Sequence, residues 1–451
     1  MGFTAWFALI GGLLLLMSLA SGWIRRLPVT SFSLYLLAGC LLGPWVLGLM
    51  DVDFALHAQA TARLTEAALV VSLFLTGLKL RVDFRRPMWR TAARLALPAM
   101  VLTVLGLCVV AHWAFGFRWS LALLLGAIAA PTDPVLASMV AVDDARDKDA
   151  LRLALSGEAG LNDGTALPFL MLGLLMLRGP VSAADAGSWA CWDFAWPLLG
   201  GLAIGFALGW GTGLLGVRLK STSRDTSPSD FLALGLMALA YAAAQAVSAS
   251  SFLAAFAAGL GLRRAEIRVV AEHPHPHFGQ EGGQLDHPPA EMLVNPNRVG
   301  PHDISNPATS AGLVVSDALS FGATLERLMA AALVLLLGAA CARYWHLPGV
   351  VLALVLFVGV RPLAVWLSTI GSGIPLSRRL LIGWLGVRGI GSLNYLAFAM
   401  AYGLQGDDAV LVSQFAITTV VLSIVVHGIS TPPLLAWRQR RIDRSGQASP
   451  A

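Results

Sequence analysis

Apolar runs, each approaching the roughly 20 residues that cross a bilayer as a helix, recur along nearly the whole sequence and leave few folds open to it. They fall at about 3–22, 28–49, 63–79, 91–115, 119–142, 149–177, 194–216, 229–247, 250–266, 320–343, 347–369, 380–402 and 408–434. A bilayer core offers no water to unpaired peptide groups, so runs of this length are expected to be helical. The expectation is an all-α polytopic membrane protein of about 13 transmembrane helices, with the third and ninth spans the shortest. Only 13% of the 451 residues are charged, about half the share in an average globular chain, and the mean hydropathy is +0.71. These values exclude a cytosolic enzyme and a disordered chain. Cys40, Cys108, Cys191 and Cys341 are scattered in or beside apolar segments, as small hydrophobes would be, and do not suggest a disulfide framework.

Basic residues divide unevenly between alternate connections. Those after odd-numbered spans hold Arg25 and Arg26; Lys79, Arg81, Arg85, Arg86 and Arg90; Arg146, Lys148 and Arg152; Arg218, Lys220 and Arg224; Arg263, Arg264 and Arg268; and Arg378 with Arg379. The even-numbered ones offer Arg63, Arg118, Arg178 and Arg343. Cytoplasmic loops are enriched in Lys and Arg, which predicts an N-terminus outside and a basic C-terminal tail, Arg438 to Arg444, in the cytoplasm. The net charge of +5 therefore reports topology, and no nucleic-acid partner is expected. The first run has no positive residues before it and is read as a retained helix, not a signal peptide. Strong bias without a targeting segment favours the inner membrane of a bacterium.

Between spans nine and ten, residues 269–318 are rich in Pro, Gly, Asn and His and predict a mobile cytoplasmic loop. Its run His273-Pro274-His275-Pro276-His277, with His287 and His302 beyond, does not have zinc-ligand spacing, and alternating prolines aim successive histidines in different directions. Glycine pairs such as Gly205 and Gly209 suit close helix packing, but among 46 glycines such spacings arise by chance. Trp6, Trp23, Trp45, Trp113, Trp119, Trp345 and Trp437 lie near span ends, as interface anchors do.

An ionisable side chain at bilayer depth costs about 2.5–3.5 kcal/mol on insertion scales, so each needs a partner or a task. The fifth span contains Ala-Ala-Pro-Thr-Asp-Pro-Val at 129–135. Pro131 and Pro134 cannot donate to the carbonyls of Ala127 and Ala130. Free carbonyls beside the Asp133 carboxylate are hard oxygen ligands for a cation, whereas a plain reading makes this a proline kink capped by Asp133. Capping alone would be served by Ser or Thr without a charge. In the sixth span Glu158 and Asn162 share a helix face, and Asp163 is turned about 100° away; the alternative is an Asn-Asp-Gly turn, against which stand the apolar flanks 151–155 and 167–177. Arg361 and Arg388 lie inside the eleventh and twelfth spans and need a carboxylate or a row of carbonyls, unless Arg388 snorkels toward Arg378 and Arg379. Three acids against two arginines leave one negative charge for a transported cation or proton to neutralise.

Thr132-Asp133-Pro134, Glu158 with Asn162-Asp163, Arg361, and Arg388-Gly389-Ile390-Gly391 together resemble the NhaP-type sodium/proton antiporters, in the branch of the cation:proton antiporters shared with animal sodium/hydrogen exchangers. The similarity extends to Phe74-Leu75-Thr76-Gly77-Leu78 and Phe252-Leu253-Ala254-Ala255-Phe256. It implies a homodimer whose protomers each combine a dimerisation part with a core of two inverted repeats and broken helices crossing at the membrane midplane. On that pattern residues 1–90 are dimerisation helices, 91–180 the first core repeat, 190–268 a linking and dimerisation region, and 269–318 the His- and Pro-rich loop. The tenth span then lies in 319–346, the second core repeat in 347–435, and the basic tail in 436–451.

Carried over by the same resemblance, Asp163 binds either the cation or the proton, Asp133 and Thr132 help line the site, and Glu158 pairs with Arg361. Asn162 stands where electrogenic relatives have a second Asp, which implies electroneutral exchange of one sodium or lithium ion for one proton. Ala159 departs from the pattern, because relatives often have Ser there. Pro131, Pro134 and Arg388 would shape or gate the core. No enzyme activity and no cofactor are expected; the partners are the ion, the proton and the lipid bilayer. A potassium/proton antiporter is the nearest alternative, and a cation channel using the same acids is a further one. The absence of a Walker motif argues against an ATP-driven pump.

Overall fold

A computed structural model describes residues 29–142, 144–223, 229–273, 287–294 and 305–447, with scattered residues between 4 and 19. The first expected span, with Trp6, Trp23, Arg25 and Arg26, falls largely outside the described residues. So do His275, His277 and His302.

From residue 29 onward every apolar run becomes helix, and no strand occurs among the described residues. The helices are α1 (Ser31–Leu42), α2 (Ala58–Lys79), α3 (Pro87–Phe115), α4 (Trp119–Ala129), α5 (Ala150–Arg178), α6 (Ala183–Ser223), α7 (Asp230–Ala246) and α8 (Ser251–Glu272). They continue with α9 (Pro307–Tyr344), α10 (Leu347–Ser368), α11 (Leu376–Trp384), α12 (Ile390–Ala401) and α13 (Gly406–Gln447). Seven of these, α2, α3, α5, α6, α9, α10 and α13, are long and apolar enough to cross a membrane, and α1, α4, α7 and α12 are shorter apolar helices.

Two expected spans are broken. The fifth runs as α4, a non-helical stretch at 130–135 and one 3-10 turn, Leu136–Met139. The twelfth runs as α11, a non-helical stretch at 385–389, then α12. Proline removes donors in the first break, and glycine weakens helix in the second. A gentler distortion precedes Arg361: residues Leu356–Val360 form a π-helical turn, a common accommodation of a following proline, here Pro362.

Helices with little charge to attract one another associate through close backbone approach. Gly205 and Gly209 of α6 lie against Ala254 and Ala258 of α8, where any β-carbon would collide with backbone. On the opposite side of α8, Gly77 of α2 meets Phe256 and Gly259 meets Phe74. The Gly205–Gly209 spacing, which sequence statistics alone made unremarkable, is thus a packing seam between α6 and α8.

The stretch 269–318 is not loop throughout, contrary to expectation. Its first residues complete α8, its last turns belong to α9, and Ala290–Leu293 forms a 3-10 turn with Ala290 fully buried. A buried ion network anchors that turn: Arg263 donates to both Glu291 oxygens at 2.9 Å, and Glu266 accepts from the Ala290 N–H at 2.9 Å. Four charged groups that satisfy one another, with Arg81 on Glu266 at 3.3 Å, overcome the polarity that made the segment read as solvated.

Candidate functional site

The two breaks meet. The Asp133 N–H donates to Val387 O at 2.8 Å, joining the middle of one interrupted span to the middle of the other. Each break exposes two kinds of helix end: the carbonyls that finish α4 and α11, and the amides that begin the 3-10 turn and α12. Aligned peptide dipoles make the former negative and the latter positive.

Arg388 occupies the negative side. It is 1% exposed, and its guanidinium donates to Ala129 O and Ala130 O at 3.2 Å and to Gly386 O. Its own amide donates to Ser423 Oγ on α13 at 2.8 Å. Arg388 therefore does not snorkel to the surface, because four acceptors hold it in place. The Ala130 carbonyl that Pro134 leaves without a helical donor is taken by this arginine and is not left over as an ion ligand.

Asp133 occupies the positive side. Its Oδ1 accepts from the Leu136 N–H at 3.0 Å and its Oδ2 from the Gly391 N–H at 2.9 Å. One carboxylate thus caps two helical segments from different halves of the chain. Capping is a real function of Asp133, and the reason Ser or Thr would not serve is that a single hydroxyl oxygen cannot reach both amides.

Asn162 ties α5 to the first break, its Nδ2 donating to both Thr132 O and Thr132 Oγ1 at 2.8 Å. One turn earlier on the same helix, Glu158 accepts from Arg361 Nη2 at 2.5 Å, with both side chains essentially buried. Asp163 differs from all of these. It is 1% exposed, and neither of its carboxylate oxygens has a hydrogen-bond partner among the described residues. A β-carbon placed on Gly391 would lie 3.6 Å from Asp163 Oδ1, so this carboxylate faces the start of α12. Buried and equally unpartnered are Asn162 Oδ1, Thr165 Oγ1 and Ser392 Oγ. Carboxylate, amide and hydroxyl oxygens are hard ligands that suit a monovalent cation, and the Asp163 carboxylate can instead take a proton.

Several contributors were not assigned by sequence reasoning. Tyr395 donates its hydroxyl to the Asp163 main-chain carbonyl at 3.0 Å, and Asn394 accepts from Thr65 of α2 at 2.9 Å. Both follow the second break at helical spacing from Gly391, the one available signal. Glu326, inside the tenth span, accepts from Ser72 of α2; a lone acid in an apolar run was the cue.

Crossed half-helices with neutralised poles, beside a buried carboxylate without a partner among the described residues, define a helical membrane protein with charged groups inside its helix bundle. The description "Sodium/hydrogen exchanger, transmembrane" matches residues 12–281 and 311–437, and the chain belongs to that family. The K(+)/H(+) antiporter NhaP of Alkalimonas amylolytica is 27% identical over 443 residues, covering 97% of this chain and 67% of that protein. The K(+)/H(+) antiporter NhaP2 of Shewanella sp. (strain MR-4) is 29% identical over 428 residues, covering 94% and 65%. The chain thus spans about two thirds of the length of these curated relatives. Among solved structures, the sodium proton antiporter MjNhaP1 from Methanocaldococcus jannaschii at pH 8 superimposes with a TM-score of 0.65 at 19% identity, over 95% of this chain and 97% of that one. The overall fold is shared at that level of sequence divergence.

Proposed function

We propose that this protein is a monovalent cation/proton antiporter in which cation and proton compete for Asp163. The observation that carries this reading is the contrast at the site: the side chains of Asp133, Glu158, Arg361 and Arg388 have hydrogen-bond partners, and the Asp163 carboxylate has none among the described residues. A carboxylate that structure does not employ is free to exchange its load. With one carboxylate holding either one cation or one proton, the loaded carrier has the same charge on both strokes, so exchange is one for one and electroneutral. An empty site would carry an uncompensated buried charge, which opposes crossing unloaded and enforces coupling.

Sodium or lithium is the first reading of the cation. Potassium is the second, favoured by relatives at 27–29% identity named for K(+)/H(+) antiport. Residues 91–180 and 347–435 act as the core that carries Asp163, moving against a dimerisation part built from 1–90 and 190–268 of each protomer in a homodimer. Thr132, Asn162 and Asp133 line the ion site, and the protein sits in a bacterial inner membrane with its C-terminus in the cytoplasm. The test is proton movement in inside-out vesicles on adding sodium, lithium or potassium, in wild type and Asp163→Asn, with membrane potential clamped and free. Cation-driven proton release that disappears in the variant and ignores the clamp supports the proposal. Current without counter-transport would replace it with a channel.

A further inference from the structure

Away from the crossing, a cavity of about 330 Å³ opens between the first turns of α3 and α5 and the loop that precedes α11. Arg90 and Arg94 reach it from α3, and Arg378 from α11. Among the described residues, none of the three has a carboxylate or any other side-chain partner, and none of those lining the cavity is Asp or Glu. Near Ala150, Asp147 is engaged with Arg152 at 3.3 Å and Asp149 with Arg438, and before α3 the Asp83 carboxylate accepts from the Arg85 N–H at 3.0 Å. Three like charges gathered on one hollow repel one another unless an anion joins them. Thr91 and Ser372 add hydroxyls, the opening turn of α3 presents its positive end, and Met88, Ile374 and Ile382 supply an apolar wall.

Positive residues on this side of a membrane protein are expected from topology alone. Topology does not, however, explain why three of them converge on one hollow with no acid among its described lining residues. Guanidinium groups are the usual partners of phosphate oxygens, and the volume falls at the lower end of small-ligand sites. The apolar wall fits an organic substituent better than a bare ion.

We propose that this cavity binds the phosphate group of an organic phosphate ester, carried either by a lipid headgroup or by a small soluble ester. Binding ties the first turns of α3 and α5 to the loop before α11. The proposal stands independently of the cation transported, because its readout is ligand-dependent stability.

The test is thermal unfolding of the purified full chain, titrated with glycerol phosphate, and in parallel in nanodiscs of phosphatidylcholine with increasing phosphatidylglycerol. Wild type is compared with R90Q/R94Q/R378Q and with an equal-charge control, R85Q/R86Q/R218Q, whose arginines lie outside the cavity. The expected result is a saturable upward shift in wild type and control, with half-saturation at least roughly tenfold higher in the cavity variant, as loss of charge-assisted hydrogen bonds predicts. A shift with glycerol phosphate assigns a soluble ester; one seen only with phosphatidylglycerol assigns a lipid headgroup. If the triple variant does not fold, R378Q alone must weaken the response. No shift in wild type with either probe, or an equal loss in the control, overturns the proposal.

Discussion

Arg388 and Asp133 hold opposite electrical poles of one helix crossing. Arg388 gathers the carbonyls of Ala129, Ala130 and Gly386, and Asp133 gathers the amides of Leu136 and Gly391. Each pole draws on both halves of the chain, so the crossing is held by two side chains instead of continuous helix. That arrangement leaves Asp163, beside Gly391, as a carboxylate without a partner among the described residues.

Asp133→Asn should therefore destabilise the protein as well as impair exchange. The amide side chain keeps one acceptor and turns a donor toward the other helix N-terminus. A loss of about 1–3 kcal/mol is expected for the amide left unpaired, measured as a lowered unfolding temperature in detergent, and Asp133→Ala should be worse.

Asp163→Asn should separate activity from stability in the opposite way. Exchange is abolished in the vesicle assay, while unfolding temperature is unchanged or higher, since a buried unpaired charge has been removed. A variant that unfolds as readily as Asp133→Asn would contradict the division of labour between the two acids.

The Glu158–Arg361 pair should behave as a unit. Breaking it with Glu158→Gln or Arg361→Met leaves one buried charge alone and costs about 3–5 kcal/mol. The double variant should recover much of that loss, so a thermodynamic cycle yields a large coupling energy. A folded but inactive Glu158→Gln would instead give Glu158 a part in transport.

Asp149 is the N-cap of α5, one residue before the apolar helix that begins at Ala150, and accepts from the Leu151 N–H at 2.8 Å. Burial pushes its carboxyl upward, but the Arg438 guanidinium and the amides of Leu151 and Arg152 outweigh this and hold it below the usual carboxylate range. A group lowered in the folded state stabilises it above the unfolded value, near 4, and that contribution fades as pH falls through the folded value. Asp149→Asn should thus be less stable than wild type at neutral pH, with the gap closing below about pH 4. Unfolding temperatures measured from pH 7 down to pH 3 check this.

At the α6–α8 seam, Gly209→Val should disrupt packing more than Gly211→Val. A β-carbon at Gly209 runs into the Ala258 backbone, whereas one at Gly211 meets open space. Overpacking of this kind costs about 1–3 kcal/mol or more, visible as loss of folded protein on size-exclusion chromatography.

Much of this was legible in the chain itself. Length and apolarity determined the helices, because a bilayer tolerates little else, and the misplaced charges at 133, 158, 163, 361 and 388 stood out because each is costly where it lies. Pro131 and Pro134 marked one break. Sequence could not say which acceptor each charge would choose. Arg388 was equally compatible with the surface and with a row of carbonyls, and Asp133 with capping and with ion ligation. Those choices depend on groups more than 250 residues apart brought within hydrogen-bond distance, and only the packed crossing decides them. The same holds for Ala290–Leu293, which reads as polar loop until Arg263 and Glu266 bury it. Local composition determines what a segment costs to bury; the partner that offsets the cost is a property of the tertiary structure alone.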